Sequence, residues 1–494
     1  MPGATRQAGT PKPRALPAAS AWLPGTPRRA RSAHVNPPPA ADGPTGEEKK
    51  QRGQFFTRHT TVHTVMANLI SHRTGTACEP SAGAGHLVAV LEAHRPNMAV
   101  DAVELDHRLT STCRTPVTRA DFFTWSVGRE GRYQLIFGNP PYVAWKHVEQ
   151  GTAVTAAATK ARYSNKTNLY HLFIDRAVDL LADGGEMILI VPKEWLYSTS
   201  AAPLRTKLDT HGALTHIVDC GEEPLFADAA VPALLIFRWV KGQRRGPILH
   251  AAGTTAAAEG TWTTRQLGSA GQRWLILPTG LAAAIADWTP LSDQYIPRVG
   301  LVTGLDRAFR LPAGHRIEPE CVHLQIDTSR TPVPFLDVDH ITNPDDLPPN
   351  AAAHLAAHEH DLRARRIRTF DDSNWWTYGA RRNITHMASD TRRFYALVKT
   401  RHQAPFFTCP DAGSFTGGVL GLFAHDGTNV DVDTAVAVLN SPAYRAVFDA
   451  MSLTTADKLN LQPATLSDAP FPPTAVGAAN WLDNAGYSRA PSSA

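Results

Sequence analysis

Residues 135–142, Leu-Ile-Phe-Gly-Asn-Pro-Pro-Tyr, form a short apolar run that stops at an amide, two prolines and an aromatic ring. This set suits one kind of chemistry: transfer of a methyl group to a planar amino group conjugated with a ring or a carbonyl. The lone pair of such a nitrogen is delocalised, so it is a poor nucleophile. The side-chain oxygen of Asn139 and the backbone carbonyl of Pro140 can each accept a hydrogen bond from that NH2, pulling it toward tetrahedral geometry. The two prolines stiffen the turn and offer no competing N–H. Tyr142 supplies a flat face on which an extruded base can stack. The alternative is an ordinary strand-to-loop turn, because Asn-Pro favours turns in any setting.

Three upstream elements would have to position this group. Residues 77–88, Ala-Cys-Glu-Pro-Ser-Ala-Gly-Ala-Gly-His-Leu-Val, read as a strand end, a turn of small residues and the start of a helix. Gly83 and Gly85 allow close backbone approach to a ligand and dihedrals that a Cβ forbids. No third glycine follows at the offset of a dinucleotide fingerprint, and a positively charged sulfonium needs no phosphate cradle. Residues 98–105, Met-Ala-Val-Asp-Ala-Val-Glu-Leu, are an apolar strand whose acid, Glu104, stands where a ribose diol sits in a parallel α/β sheet, with Asp106 as its rival. Residues 118–123, Thr-Arg-Ala-Asp-Phe-Phe, bring Asp121 to the next strand end, where it could accept from an adenine amino group while Phe122 covers the ring.

In this order, the Gly-rich turn, the ribose acid, the adenine acid and Asn-Pro-Pro-Tyr resemble the gamma class of S-adenosylmethionine-dependent amino-methyltransferases. Within that class the likeness is to the N6-adenine DNA methyltransferases of restriction–modification systems. The resemblance implies an α/β fold: a Rossmann-like methyltransferase domain with a mixed, mostly parallel seven-stranded sheet, followed by an α+β target-recognition domain. It implies S-adenosyl-L-methionine as cofactor, bound by Thr57, Glu79, Pro80, Gly83, Gly85, Glu104, Asp121, Phe122 and Asn139. Glu79 matches the family's acid at the methionine end. Thr57 closes Gly-Gln-Phe-Phe-Thr (53–57), similar to the family's preceding cofactor motif, although Arg58 stands where the family has proline. Asn139, Pro140 and Tyr142 would be catalytic, and Phe226 would stack on the target base opposite Tyr142. Asn-Leu-Tyr-His-Leu-Phe (168–173) is similar to a helix that lies beside the cofactor in the family. The implied substrate is double-stranded DNA with its target adenine flipped out, and any cleavage would come from a separate restriction endonuclease. Enzymes that methylate protein glutamine amides or RNA amino groups share the Asn-Pro-Pro-Tyr element and stay open as alternatives. The former lack a long C-terminal recognition domain.

The chain of 494 residues, 43% hydrophobic, holds ample material for two cores. Residues 1–50 are expected to be a disordered, basic, Pro-rich tail, and 51–245 the catalytic domain. A connector is expected over 246–290, the target-recognition domain over 291–475, and a flexible tail over 476–494. Gly300-Leu301-Val302-Thr303-Gly304, Leu439-Asn440-Ser441-Pro442 and Pro470-Phe471-Pro472 resemble recurring segments of such recognition domains. Candidate DNA contacts are Arg363, Arg366, Arg381, Arg382 and Arg392, interleaved with the aromatics of Trp-Trp-Thr-Tyr at 375–378. Arg363 and Arg366 would share one side of a helix, so a solvated charged face is the alternative there. The net charge of +4 is too small to announce a nucleic-acid partner by itself. No run of about twenty apolar residues suggests a membrane span. The five cysteines are widely spaced without a CxxC pair, which favours a reduced, cytoplasmic setting and no metal.

Overall fold

The computed structural model describes residues 57, 59–109, 111–148, 163–164, 166–221, 223–225, 233–270, 273–409, 413–451, 453–455 and 458–484. The tail expected over 1–50 and Phe226 both lie outside them. The chain forms two compact units, one comprising Met1–Trp195 and Pro203–Thr264, the other Leu196–Ala202 and Arg265–Ala494.

The first unit is built on a sheet whose central strands are near-continuous apolar runs, as expected where both faces are covered by other elements. Its strands are β1 (Gly75–Glu79), β2 (Met98–Glu104), β3 (Val117–Arg119), β4 (Tyr133–Gly138), β5 (Leu181–Pro192), β6 (Gly212–Gly221), β7 (Leu234–Lys241) and β8 (Ile248–Ala252). Among the described residues these are eight strands of the first unit rather than the seven expected, and they lie in the order β8-β6-β7-β5-β4-β1-β2-β3. Only β7 runs against its neighbours, paired antiparallel with both β5 and β6. Between β1 and β4, where Ala77 faces Leu135 and Cys78 faces Ile136, the strand order reverses. Ligands of open α/β sheets bind at the carboxyl end of such a switch point. Both the Gly-rich turn and Asn-Pro-Pro-Tyr follow strands that end there.

Helices α1 (Thr60–Asn68) and α2 (His86–His94) cover this part of the sheet. Val62, Val65 and Met66 of α1 and Leu87 and Leu91 of α2 join Leu135, Phe137, Ile188 and Ile236 in one apolar core. Strand β8 corrects the expected domain limit near 245. It pairs parallel with β6, His216 facing Leu249, so the first compact unit runs to Thr264 and takes in the first part of the segment read as a connector.

The second unit is α+β. A hairpin of Thr263–Ala270 and Arg273–Pro278 leads into it. Its main sheet orders Tyr295–Val299, Val419–Ala424, Arg393–Leu397 and Phe406–Phe407, all antiparallel. The motif residues noted in the sequence serve this scaffold. A Cβ at Gly300 would stand 2.2 Å from the Thr416 carbonyl, so only glycine admits that backbone crossing. Asn440 accepts from the Phe406 amide (3.1 Å) and donates to its carbonyl (2.9 Å), and Ser441 accepts from the Trp481 indole (2.9 Å). That last bond overturns the tail expected from 476 as far as 484, the remainder of that expectation lying outside the described residues. Ala475–Asn484 is a helix with Ala478, Trp481 and Leu482 buried, because its apolar face closes the core around Tyr444 and Phe448.

Candidate active site

The structure brings Thr57, Glu79, Gly83, Glu104 and Asn139 into one hydrogen-bonded row along the carboxyl ends of β1, β2 and β4. Asn139 Nδ2 donates to Thr57 Oγ1 at 3.0 Å. The backbone carbonyl of Asn139 accepts from Ser81 Oγ at 3.0 Å, and the Ser81 amide donates to Glu79 Oε1 at 3.2 Å. Glu104 Oε2 accepts from the Gly83 amide at 2.8 Å, and its Oε1 from the Asp106 amide at 2.9 Å. The turn after β1 is therefore pinned to the turns after β2 and β4.

Gly83 and Gly85 both hold positive φ, +55° and +82°. A Cβ at Gly85 would meet Cys113 Sγ at 2.7 Å, so this bend is closed to every other residue. Gly138 is a functional position that the sequence reading passed over. A Cβ there would lie 2.3 Å from Glu79 Oε1, so the missing side chain of β4 is what makes room for the carboxylate. An isolated glycine inside a strand pattern was the available signal.

Glu79 is 1% exposed, and its Oε2 is buried with no hydrogen-bond partner. Burial pushes its carboxyl up to about 8, opposed by the Ser81 amide and reinforced by the nearby charge of Glu104. A buried carboxylate lacking a counter-charge is costly, and a cationic ligand group would relieve that cost. S-adenosyl-L-methionine carries both an ammonium and a sulfonium, so these residues fit it. Glu104 and Asp106 are separated by their partners. Asp106 is clamped by Arg108 through Nε and Nη2, both at 3.0 Å, whereas Glu104 meets only backbone amides and keeps lone pairs for a diol.

The remaining candidates are placed as follows. Pro80 is buried in the turn after β1. Asp121 caps the short helix Phe122–Trp125, accepting from the Thr124 amide at 2.7 Å, which occupies one oxygen and leaves a second acceptor. Phe122 is buried and stacked on Phe173, centroids 5.0 Å and planes 10° apart, so it serves the aromatic core. Leu105, beside Glu104, is an exposed apolar side chain at this end of β2, 70% exposed. Tyr142 is half-buried. Its hydroxyl donates to the Ile190 carbonyl at 2.9 Å, and its ring meets Tyr170 edge-on at 5.9 Å, which fixes the plane of the ring.

In the second unit the arginines divide. Arg363 is spent on Glu359 (2.7 Å) and Asp372 (2.9 Å) and lies over Trp375. Its helix, Glu359–Arg363, ends there, so Arg363 and Arg366 do not share a helical face as expected. Arg365 is buried and ligated by the carbonyls of Leu362, Thr303, Thr377 and Trp375, with Phe370 3.8 Å beneath it. Burial holds its guanidinium down to about 10. Arg381 sits 3.5 Å from Asp337 and 3.6 Å from Asp339. Arg366, Arg382 and Arg392 are exposed. Among the described residues, no group of three or more His, Cys, Asp or Glu could hold a metal, and no helix is long and apolar enough to cross a membrane.

Comparison with known proteins places these observations beside named relatives. The model of the Eco57I restriction-modification methylase family matches residues 86–226. Over 214 residues the chain is 31% identical to the type II methyltransferase M.TthHB8I of Thermus thermophilus, covering 42% of this chain and 47% of that protein. Over 202 residues it is 28% identical to the type II methyltransferase M.HincII of Haemophilus influenzae, covering 40% and 39%. The chain spans less than half the length of either relative. Among solved structures, that of the type IIL restriction-modification enzyme MmeI in complex with DNA matches 90% of this chain and 73% of its own, at 9% identity and a TM-score of 0.48.

Proposed function

We propose that this chain, whose residues 86–226 match the Eco57I restriction-modification methylase model, is a site-specific DNA methyltransferase acting on the exocyclic amino group of a flipped adenine. S-adenosyl-L-methionine, when bound, supplies the electrophilic methyl group. Glu79, Gly83, Gly85 and Glu104 are the residues that would hold it, with Asp121 toward its adenine. The observation that carries the reading is the hydrogen-bonded row that fixes Asn139 beside the Gly-rich turn at the switch point. The names of the relatives support DNA modification within a restriction system. The Asn-Pro-Pro-Tyr form, in its motif order, favours adenine over the cytosine amino group.

In this mechanism Asn139 Oδ1 and the Pro140 carbonyl each accept a hydrogen bond from the amino group and draw the nitrogen toward tetrahedral geometry. Orientation of this kind lowers a barrier by several kcal/mol, up to about 7–11 in the best intramolecular cases. Tyr142 stacks on the extruded base, and Phe226 is assigned the opposite face by resemblance. Such stacking offsets part of the few kcal/mol that flipping costs, at roughly 1–3 kcal/mol per base. The attacking amine is neutral, so the pocket needs no strong base, and the proton leaves to water after attack. Arg366, Arg382 and Arg392 are the exposed candidates for phosphate contact.

Transfer of labelled methyl groups to DNA, RNA and protein, assayed side by side, tests the reading. The expected product is N6-methyladenine in DNA at a defined sequence. Label recovered only in RNA or in protein glutamine would overturn it.

A further inference from the structure

Thr57 and Asn139 stand 82 residues apart in sequence, yet their side chains meet at 3.0 Å. We propose that Thr57 is a positioning residue for the Asn139 amide, setting which end of it faces the amino group to be methylated. This deepens the proposed function and rests on the role given there to Asn139. The two ends of a carboxamide are nearly the same size, so sterics do not distinguish them, and hydrogen-bond partners decide the orientation. With the oxygen toward the substrate, the amide accepts from the target NH2. Turned over, it would present NH2 to NH2, and the nitrogen would keep its delocalised lone pair.

The geometry around Thr57 makes it a fixed reference. It is 4% exposed, and its carbonyl meets His63 Nε2 at 2.7 Å. It lies just before α1, whose Val62, Val65 and Met66 are anchored in the core. The main chain that carries Oγ1 therefore stays in place if the amide rotates. On the other side, the Asn139 backbone is held by Ser81, so Thr57 acts on the side-chain amide itself. A hydroxyl has one proton and two lone pairs. Accepting from Nδ2 requires the Thr57 proton to point elsewhere, and a cofactor carboxylate, the partner that the resemblance implies for Thr57, would reinforce that arrangement. One hydroxyl would thus join cofactor contact to substrate orientation.

The test uses the full chain with tritiated S-adenosyl-L-methionine and bulk DNA from a methylation-deficient host, with cofactor affinity read separately by calorimetry. Thr57→Val keeps the shape and removes the acceptor. Its kcat at saturating cofactor and DNA is expected to fall about 10- to 100-fold, in line with the cost of small misplacements at a reacting centre. Thr57→Ser keeps the acceptor and is expected to restore kcat to within a factor of about five of wild type. A Thr57→Val kcat within that same factor of about five, even with weakened cofactor binding, overturns the proposal, because Thr57 would then act on the cofactor alone. If Thr57→Val does not fold, Thr57→Ala carries the same expectation. Asn139→Ala serves as the control: full turnover there sinks the site reading itself, whereas an inactive Asn139→Ala beside a normal Thr57→Val sinks only this inference.

Discussion

Replacing Glu79 by Gln tests the cofactor site through a single proton. In the ligand-free fold, burial raises this carboxyl from 4.5 to about 8, so the folded protein holds a proton that the unfolded chain has released over that range. The sign follows from linkage: stability attributable to Glu79 is fully present below pH 4.5 and is lost as pH rises through about 8. At about 1.4 kcal/mol per pH unit, the wild type should lose about 4 kcal/mol relative to Glu79→Gln between pH 5 and 8. Below pH 4.5 the two proteins should be equally stable, because the amide mimics the protonated acid. A cationic ligand reverses the preference, so below pH 8 binding of S-adenosyl-L-methionine should release close to one proton. Affinity should weaken up to about tenfold per unit as pH falls. Chemical denaturation across pH, with binding calorimetry in two buffers of different ionisation enthalpy, measures both effects. Parallel stability curves for the two proteins, or binding without proton release, would refute the assignment of Glu79 as the counter-charge.

Two further expectations follow from packing. Gly138→Ala places a Cβ 2.3 Å from Glu79 Oε1, so it should weaken cofactor binding at least about tenfold in calorimetry and lower stability by about 1–3 kcal/mol. Cofactor affinity unchanged from wild type would contradict this. In the second unit, Arg365→Met leaves four carbonyl acceptors without their donor and should cost at least about 3 kcal/mol in denaturant unfolding. The double variant Arg366→Ala, Arg382→Ala should leave unfolding within about 0.5 kcal/mol per site of wild type. It should also weaken DNA binding and reduce the salt slope by about one for each phosphate contact removed. An unchanged salt slope would remove these arginines from the interface.

The parts of the fold legible in the sequence were those whose pattern is local. The apolar runs of β4, β5 and β7 are continuous because both their faces are covered, and the turns that end β1 and β4 carry residues with few other uses. The rivalry between Glu104 and Asp106 could not be resolved from sequence, because it depends on Arg108 clamping the second acid. The Thr57–Asn139 bond and the role of Gly138 were hidden for the same reason: each is a contact between segments far apart in sequence, brought together only by the fold. The arginine cluster could not be sorted from sequence, since a run of like charges shows neither the carbonyls that bury Arg365 nor the acids that pair with Arg363. The C-terminal helix was missed because its buried side is only Ala478, Trp481 and Leu482, too few apolar positions to show a helical period, and the indole of Trp481 finds Ser441.

The central claim is that Asn139 directs methyl transfer to an amino group in DNA, and sequencing that detects modified bases tests it most directly. Wild type and Asn139→Ala would each be expressed in a host lacking its own DNA methylation, with cofactor binding measured on the purified proteins. The expected result is N6-methyladenine at one recurrent sequence for the wild type, and an unmodified genome for Asn139→Ala with cofactor affinity retained. An unmodified genome in both cases from folded, cofactor-binding protein, or equal modification by the two, would contradict it.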